Sequence, residues 1–439
     1  MSANHTFFGT NSAYLEDLYE QYLEDKNAVP SHWQDFFGDL DPLADTNKNT
    51  LTDDGLAQAA SIEKQSRVSQ MVSAFRAYGH RCAHLNPLMP PPDLDEDLKP
   101  VAFGLSAKDL DSQFATNGLL DKKQATLGEI FEAARTTYCR TIGVQYKDIP
   151  RHERLWLQEK MEKRQNIPGF DTDYKKHILN GLMKAEIFEQ FLHKKFVGVK
   201  RFSLEGGESL IPMLDALVNA AGDFGTEEIV MGMAHRGRLN VLTNVLEKSK
   251  AITMAEFAGT TKMDNDFSLG DVKYHKGKSY DITTRGGHEL HISLLPNPSH
   301  LEAVNPVVLG SAYARQQRRG DTEKCKVLPL LIHGDTAFIG QGVVAETFNL
   351  GTVKGYSVGG TIHVVINNQL GYTANPDEGF GTEYCTDMAR MLQVPIFHVN
   401  GDDPEGCAYV MELAAEYRQK FKRDVVIDMV CYRKYGHNE

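Results

Sequence analysis

Several common features are missing from this sequence, and each absence excludes a class of protein. The six cysteines form no C-x-x-C pair, which indicates neither a zinc site nor a disulfide framework and fits a reducing, intracellular setting. No 18-residue apolar stretch occurs, which argues against a membrane span. The first 25 residues contain no Lys or Arg, which argues against a secretory signal or a transit peptide. We therefore expect a cytoplasmic, bacterial protein rather than one of the mitochondrial matrix.

Charge and phosphate-binding motifs exclude further classes. The net charge of −12 comes from 59 acidic and 47 basic residues, and no basic block is long enough to indicate a nucleic-acid partner. Neither a Walker P-loop nor a G-x-G-x-x-G fingerprint after a strand is present. With 439 residues and 41% hydrophobic content, the chain is long enough for two or three globular domains.

The sequence divides into segments of different character. Residues 1–38 hold a short amphipathic helix that predicts an N-terminal arm, and the polar residues 39–59 predict a linker. Residues 60–198 have helical periodicity, and residues 199–439 predict an α/β domain. A helix as short as that of the arm needs a partner for its apolar face. The partner is either another protein or the arm's own domain.

Apolar, β-branched runs alternate with helix-like stretches after about residue 200. Several runs are apolar throughout, as expected of strands covered on both faces. This alternation predicts an α/β fold, a mostly parallel sheet flanked by helices, preceded by a helical region. The predicted strands are 228–234, 291–295, 327–332, 362–366, 395–399 and 425–430, and the predicted helices are 237–248, 301–318, 340–350 and 403–421.

Polar residues follow all six predicted strands. Open α/β sheets bind ligands beyond the carboxyl ends of their strands, so we expect these groups at one edge. Each also has an ordinary interpretation, since a single aspartate is more often a cap and an Asn pair usually marks a turn. Their convergence favours a ligand site. The groups are His235 and Arg236; Asn297, Ser299 and His300; His333, Gly334 and Asp335; Asn367 and Asn368; Asn400 and Asp402; His437 and Asn438.

These residue types indicate a metal-bound diphosphate. One carboxylate, one amide and a nearby carbonyl form an incomplete oxygen shell, which suits Mg²⁺ that takes further ligands from phosphates and water. Arg236 supplies a guanidinium fork for phosphate. We therefore predict a Mg²⁺-diphosphate site that includes Asp335.

The motifs at the strand ends are similar to those of a known family. GDT at 334–336 and NN at 367–368 resemble the GDG-to-NN motif of thiamine-diphosphate enzymes. With GMAHRGRLNVL, GDVKYHKG, NPSHLEAVNPVV and CYRKYGHNE, they resemble the E1 component of 2-oxoglutarate dehydrogenase along the whole chain. The resemblance implies a thiamine-diphosphate-binding fold, with thiamine diphosphate and Mg²⁺ as cofactors.

The resemblance also implies a role for particular residues. Mg²⁺ would be held by Asp335, Asn368 and the carbonyl of Leu370, and the diphosphate would meet Arg236. The residues implied to line the cofactor are Ser299, Leu301, Thr336 and Ala337, and those implied to face substrate and intermediates are His235, His275, His300 and His437.

The implied reaction is the oxidative decarboxylation of 2-oxoglutarate in the tricarboxylic acid cycle. The succinyl group would pass to lipoyl-lysine of the E2 component, dihydrolipoyl succinyltransferase, and the arm 1–38 would dock to E2. The full-length enzyme would be a homodimer. Family members are considerably longer than this chain, so we expect the pyrimidine-binding domain to be missing and the chain to be inactive alone.

Four departures and three rival hypotheses accompany the resemblance. Thr336 stands where the family commonly has Ala, and Tyr372 where it usually has Phe. Phe380 and Tyr313 stand near positions where it usually has Arg. The rivals are a 2-oxoadipate-specific homologue, a non-catalytic module that binds E2, and an unrelated Mg-phosphate enzyme on a similar sheet.

Overall fold

The structure is a computed structural model that describes residues 21–22, 25–31, 33–34, 37, 53–260 and 273–435. The chain forms two compact units, Met1–Gln65 and Ser66–Glu439. Most of the predicted arm and linker, and His437, therefore lie outside the described residues. No helix in the described ranges combines the length and apolar character needed to cross a membrane.

The described residues of the arm pack against one another. A short 3₁₀ turn at Lys26–Ala28 begins where the carboxylate of Asp25 accepts a hydrogen bond from the backbone N–H of Asn27. Tyr22, Val29 and Phe37 are buried, and Trp33 packs on them.

Helices in the described part of the chain are α1 Asp53–Tyr78, α2 Leu127–Tyr138, α3 Arg151–Arg164, α4 Thr172–Lys195, α5 Leu210–Asp223, α6 Arg238–Asn244, α7 Lys250–Ala258, α8 Val304–Arg319, α9 Asp335–Gly340, α10 Gly342–Thr352, α11 Pro376–Gly379 and α12 Pro404–Phe421. The four predicted helices are confirmed as α6, α8, α10 and α12, with ends shifted by a few residues.

Strands are β1 Gln113–Ala115, β2 Gln124–Thr126, β3 Ile142–Gln145, β4 Glu228–Met233, β5 Lys278–Thr283, β6 Glu289–Leu294, β7 Val327–Gly334, β8 Ile362–Asn367, β9 Ile396–Asn400 and β10 Val425–Val430. β1 and β2 form a separate hairpin, and the other eight form one sheet in the order β3-β9-β10-β8-β7-β4-β6-β5. The six predicted strands are the central ones, and all of the pairings among these six are parallel. The predicted parallel α/β fold is confirmed.

Two strands of this sheet were not predicted, and both are antiparallel edge strands. β3 pairs with β9 and comes from the stretch expected to be helical. Its four residues are too few to show a strand period. β5 pairs with β6, and its residues alternate between half-buried and exposed. This pattern is typical of an edge strand with one solvent-exposed face.

Helices cover both faces of the sheet. Along β8, Val364 and Ile366 belong to the largest apolar cluster, whereas Val365 between them packs with Phe338 and Phe348 from α9 and α10. Successive side chains of a strand point to opposite faces, so both faces are buried. This explains the continuous apolar runs in the sequence.

Candidate active site at the carboxyl edge of the sheet

A cavity of about 930 Å³ lies at the carboxyl ends of the parallel strands. Of the twelve site residues predicted from sequence, ten line it: His235, Arg236, His275, Ser299, Leu301, Asp335, Thr336, Ala337, Asn368 and Leu370. His300 does not line this cavity, and His437 lies outside the described residues.

Strand register brings the main groups to one level. Gly334 at the end of β7 pairs with Ile366 of β8, so Asp335 lies one residue and Asn368 two residues beyond the paired positions. Met233 of β4 pairs with Ile332 of β7, which places His235 near the same edge. Parallel pairing thus assembles residues that are more than a hundred positions apart in sequence.

Two histidines form the polar wall of the cavity. The Nε2 atoms of His235 and His275 are 2.9 Å apart, and the Oγ of Ser299 lies 3.4 Å from the Nε2 of His275. Burial, and next the neighbouring His275, lowers the pKa of His235 to about 4. His235 is therefore neutral at pH 7. In a neutral imidazole such as that of His235, one ring nitrogen is a hydrogen-bond donor and the other an acceptor.

Asp335 is a buried acid that pairs with no cationic side chain among the residues the structure describes. Its side chain begins α9 and is 4% exposed. Burial raises the pKa of Asp335 to about 6, although backbone N–H groups of Thr336 and Gln369 partly stabilise the carboxylate. Nearby Asp428 adds to the increase. A bound cation would reverse this, because it favours the charged carboxylate.

The two asparagines at the end of β8, Asn367 and Asn368, have different hydrogen-bonding roles. The side-chain Nδ2 of Asn367 donates to Asp428 Oδ1 at 3.1 Å, and its Oδ1 accepts from the backbone N–H of Gln369 at 3.3 Å. Asn368 lines the cavity, and its buried Oδ1 has no hydrogen-bond partner among the described residues. Asn367 thus fixes the turn, and Asn368 presents an acceptor.

A buried pair behind the site holds Asn367 in place. Asp428 of β10 accepts from Nδ1 of His398 of β9 at 2.8 Å, and both side chains are fully buried. The Nε2 of His398 meets the amide oxygen of Gln145 at 3.0 Å, and the ring of Tyr384 stacks on His398. The unpredicted strand β3, which carries Gln145, therefore supports the site through this pair.

A second buried cluster supports the other side of the cavity. The carboxylate of Glu302 accepts from Asn305 at 2.8 Å and lies 2.6 Å from Nδ1 of His333, whose Nε2 is 3.0 Å from Nδ1 of His363. Glu302 has a left-handed backbone, with φ at 70°. This cluster joins the segment of Ser299 to the end of β7.

The structure adds cavity residues that the sequence reasoning missed. Lys200, with its ammonium 4.8 Å from the ring centre of Phe202, lines the cavity together with Tyr274 and Arg433. Arg433 follows the end of β10, so the strand-end rule could have found it. Lys200 lies before α5, which in turn precedes β4, and no local sequence pattern indicates that it reaches the cavity.

Several of the predicted strand-end residues do not line the main cavity: Asn297, His300, His333, Asn367, Asn400 and Asp402. His300 borders a small separate cavity with Asn297 and Glu302. Asn400, at the end of β9, donates to the carbonyl oxygen of His84 and accepts from the backbone N–H of Asp402. Asn400 therefore has the ordinary turn role.

The cavity residues fit a cation that brings its own further ligands. No group of three or more His, Cys, Asp and Glu side chains is placed to hold a metal within the described residues. The open acceptor of Asn368 and the buried carboxylate of Asp335 provide two oxygen ligands. Such a set suits Mg²⁺, which keeps waters and takes phosphate oxygens.

The departures from the family pattern have local explanations. Phe380 packs against the apolar cluster of Phe338 and Val344, and Tyr313 packs against that of Val308. The Oγ1 of Thr336 would lie 2.6 Å from a Cβ added at Gly371, so Thr336 fills space beside the turn after β8.

A mostly parallel sheet with a cavity at its carboxyl edge, lined in part by His235, His275 and Asp335, is typical of α/β ligand-binding proteins such as cofactor-dependent enzymes. Residues 180–439 match the family model described as "Dehydrogenase E1 component", and the chain belongs to this family. Residues 5–43 match the "2-oxoglutarate dehydrogenase N-terminus" model. The family is thiamine-diphosphate-dependent, and the resemblance found in the sequence is confirmed.

Individual relatives agree with the family. The chain is 46% identical to the 2-oxoglutarate dehydrogenase E1 component of Azotobacter vinelandii over 98% of its own length. It is also 46% identical to that of Cupriavidus necator over 100% of its length, and to a multifunctional 2-oxoglutarate metabolism enzyme of Mycolicibacterium vanbaalenii over 86%. The chain spans 48% of the length of the first two relatives.

Proposed function

We propose that this chain carries the diphosphate-binding and Mg²⁺-binding part of a 2-oxoglutarate dehydrogenase E1 component. The activity is the oxidative decarboxylation of 2-oxoglutarate with transfer of the succinyl group to lipoyl-lysine of E2, in the tricarboxylic acid cycle. The main observation in support is that the buried Asp335 and the unpartnered Oδ1 of Asn368 lie in the same cavity. The identity to E1 components of two bacteria supports the substrate class and a bacterial cytoplasm.

Asp335, Asn368 and the carbonyl of Leu370 would hold Mg²⁺, and Arg236 would bind the diphosphate. Arg236 is already oriented, because its Nη1 donates to the carbonyl oxygen of Ser203 at 2.8 Å. A guanidinium fixed on one side presents its remaining N–H groups in a rigid fork. Ser299, Leu301, Thr336 and Ala337 would enclose the cofactor.

Thiamine diphosphate supplies an electron sink for decarboxylation of a 2-oxo acid. The chain's own residues bind, orient and move protons. His235 is neutral at pH 7 because its pKa is about 4, so its imidazole accepts or donates a hydrogen bond without adding charge. His275 shares that hydrogen bond and joins His235 to Ser299. Lys200 and Arg433 give the cavity positive charge, which suits the two carboxylates of 2-oxoglutarate.

Binding of E2 by the arm 1–38 is the second candidate function, and the match of residues 5–43 to the N-terminus model favours it. Capture of the E2 core by the full chain, lost on deletion of residues 1–38 and kept by Asp335→Asn, would support docking independently of the cavity. A 2-oxoadipate-specific enzyme would show the higher turnover on the longer acid when the enzyme is assayed with both substrates.

Calorimetric titration with thiamine diphosphate and Mg²⁺ tests the cofactor site. The expected result is binding by the chain and a loss of more than about 100-fold in affinity for Asp335→Asn. Asp402→Asn is the matched control, because Asp402 also follows a parallel strand but lies outside the cavity. Absence of metal-dependent binding by the chain, or unchanged affinity of Asp335→Asn, would overturn the proposal.

A further inference from the structure

The turn after β8, residues 367–371, contains a residue in an uncommon backbone conformation. Gln369 has φ at 61°, in the left-handed region that residues with a side chain rarely adopt. Its backbone N–H donates to Oδ1 of Asn367 at 3.3 Å and also stabilises the carboxylate of Asp335. A rotation of the backbone at Gln369 would therefore break both contacts and displace the neighbouring Asn368.

The side chain of Gln369 is held from outside the turn by a second carboxamide, that of Asn86. The Nδ2 of Asn86 donates to Oε1 of Gln369 at 2.6 Å, and the Nε2 of Gln369 donates to Oδ1 of Asn86 at 2.9 Å. The Nε2 of Gln369 also donates to the carbonyl oxygen of Cys431, just beyond β10, at 2.8 Å. Because the two amides are planar and bond each other twice, the pair fixes the orientation of Gln369 as well as its distance.

Asn86 can hold the turn because its own segment is anchored. Its Oδ1 also accepts from the backbone N–H of Leu88 at 2.9 Å. Two residues earlier, the backbone N–H of His84 donates to the carbonyl oxygen of Arg140 at 2.7 Å, and the carbonyl oxygen of His84 accepts from Nδ2 of Asn400 at 3.0 Å. The segment of Asn86 is thus tied to the residues after α2 and to the end of β9.

We propose that Asn86 is a positioning residue for the Mg²⁺-diphosphate site. Asn86 does not line the cavity, whereas Asn368 and Leu370, on either side of Gln369, do. The carboxamide pair keeps Gln369 in its left-handed conformation and so keeps these two residues at the cavity before the ligand arrives. Without the pair, they would have to be ordered on binding, which lowers affinity. This inference rests on the proposed function and adds to it a residue from the helical region.

Hydrogen–deuterium exchange of the ligand-free chain tests whether Asn86 holds the turn. Asn86→Ala should increase the exchange rate of the backbone amides of residues 367–371 about fivefold or more. Asp95→Ala is the matched control, because Oδ1 of Asp95 accepts from the backbone N–H of Asp97 at 3.0 Å, two residues on, as Asn86 accepts from Leu88. It removes an equivalent local bond and should leave the exchange of residues 367–371 unchanged. Unchanged exchange in Asn86→Ala would overturn the proposal.

Calorimetric titration with thiamine diphosphate and Mg²⁺ tests whether the held turn matters for binding. Asn86→Ala should weaken affinity about tenfold, as substitutions behind a metal site do. Asn86→Asp should stay within about threefold of the unmodified chain, because its carboxylate still accepts from Nε2 of Gln369 and from the backbone N–H of Leu88. Asp95→Ala should bind normally. A merely structural role of Asn86 would lower the denaturation midpoint and leave the affinity unchanged.

A double substitution tests whether Asn86 acts through Gln369. Gln369→Ala should weaken binding about as much as Asn86→Ala, and adding Asn86→Ala to it should cost less than about twofold more, since the two side chains share one interaction. Independent, multiplying losses would overturn the proposal, as would normal binding by Asn86→Ala or an Asn86→Asp variant as weak as Asn86→Ala. These outcomes leave the proposed function intact when the unmodified chain binds. Failure of the unmodified chain to bind would overturn both.

Discussion

Buried charged groups have hydrogen-bond or ion-pair partners at the amino ends of the parallel strands, whereas the carboxyl ends hold a buried acid without a cationic partner. At the amino end, Glu228 of β4 pairs with Arg319 at 2.8 Å, and Asp424 accepts from the backbone N–H of Thr361 at 2.7 Å. Arg418 donates to three backbone carbonyls. At the carboxyl end, Asp335 pairs with no cationic side chain in the described part of the chain, and the Oδ1 of Asn368 has no hydrogen-bond partner there. The amino end stabilises the fold, whereas the carboxyl end retains binding capacity for a ligand.

The largest effect should come from removing a charge at the amino end. Arg418→Ala leaves the carbonyl oxygens of Val327, Val358 and Gly360 without this donor, and we expect a loss of about 3–5 kcal/mol in the free energy of unfolding. Denaturant titration measures it. Arg154→Ala, which removes a bond to the single carbonyl of Lys147, should cost less than about 1 kcal/mol. Equal losses would mean that the amino end is not the stabilising one.

A substitution behind the carboxyl end should affect binding and stability together. Asp428→Asn weakens the contacts to His398 and Asn367, so we expect about 1–3 kcal/mol less stability. Affinity for thiamine diphosphate with Mg²⁺ should fall about 10- to 100-fold, because residues behind a metal site orient its ligands. Calorimetry compares it with Asp424→Asn, which lies at the amino end. A variant that loses stability but binds normally would show that Asp428 has no positioning role.

The smallest effect concerns the protonation of His235. Its pKa of about 4 lies below the ordinary 6.5, so the unfolded chain binds more protons between these pH values. Stability should therefore fall as pH decreases through that window. His275→Gln removes the imidazole that, after burial, is the main cause of the low pKa of His235, so the pKa of His235 should rise.

NMR titration of the His235 ring measures this shift. His300→Gln is the control, because His300 lies outside the main cavity, and it should leave the His235 titration unchanged. A His235 pKa near 6.5 in the unmodified chain would show that the carboxyl end is more hydrated than the structure indicates.

Much of the fold was accessible from the sequence, and the reason is burial on both faces. The six central strands were predicted because continuous apolar runs are needed where helices cover both sides of a sheet. β3 and β5 were missed, because a four-residue strand and a half-exposed edge strand lack that pattern. The pairing of β3 with β9 joins segments about 250 residues apart, which no local pattern encodes.

The candidate site was predicted partly from the strand ends and partly from the family resemblance, which alone gave His275, Leu301, Thr336, Ala337 and Leu370. Ten of the twelve residues line one cavity, because parallel strands bring their carboxyl ends to one edge. The rule did not distinguish Asn367 from Asn368, or Asn400 from either, because all three follow buried strands. It also missed Lys200, which reaches the cavity from outside the strand ends.

The sequence alone determined the residue types at the strand ends, the family and the order of strand and helix, because these depend on local pattern and motif. The tertiary structure decided which polar groups face the cavity and which hold the backbone. Asn367 donates to Asp428 and accepts from the backbone N–H of Gln369, whereas the Oδ1 of Asn368 has no partner among the described residues. It also decided that the apolar residues Leu179, Met183, Ile187 and Phe191 of α4 stay exposed. That depends on Glu189 and its buried partners on the opposite face.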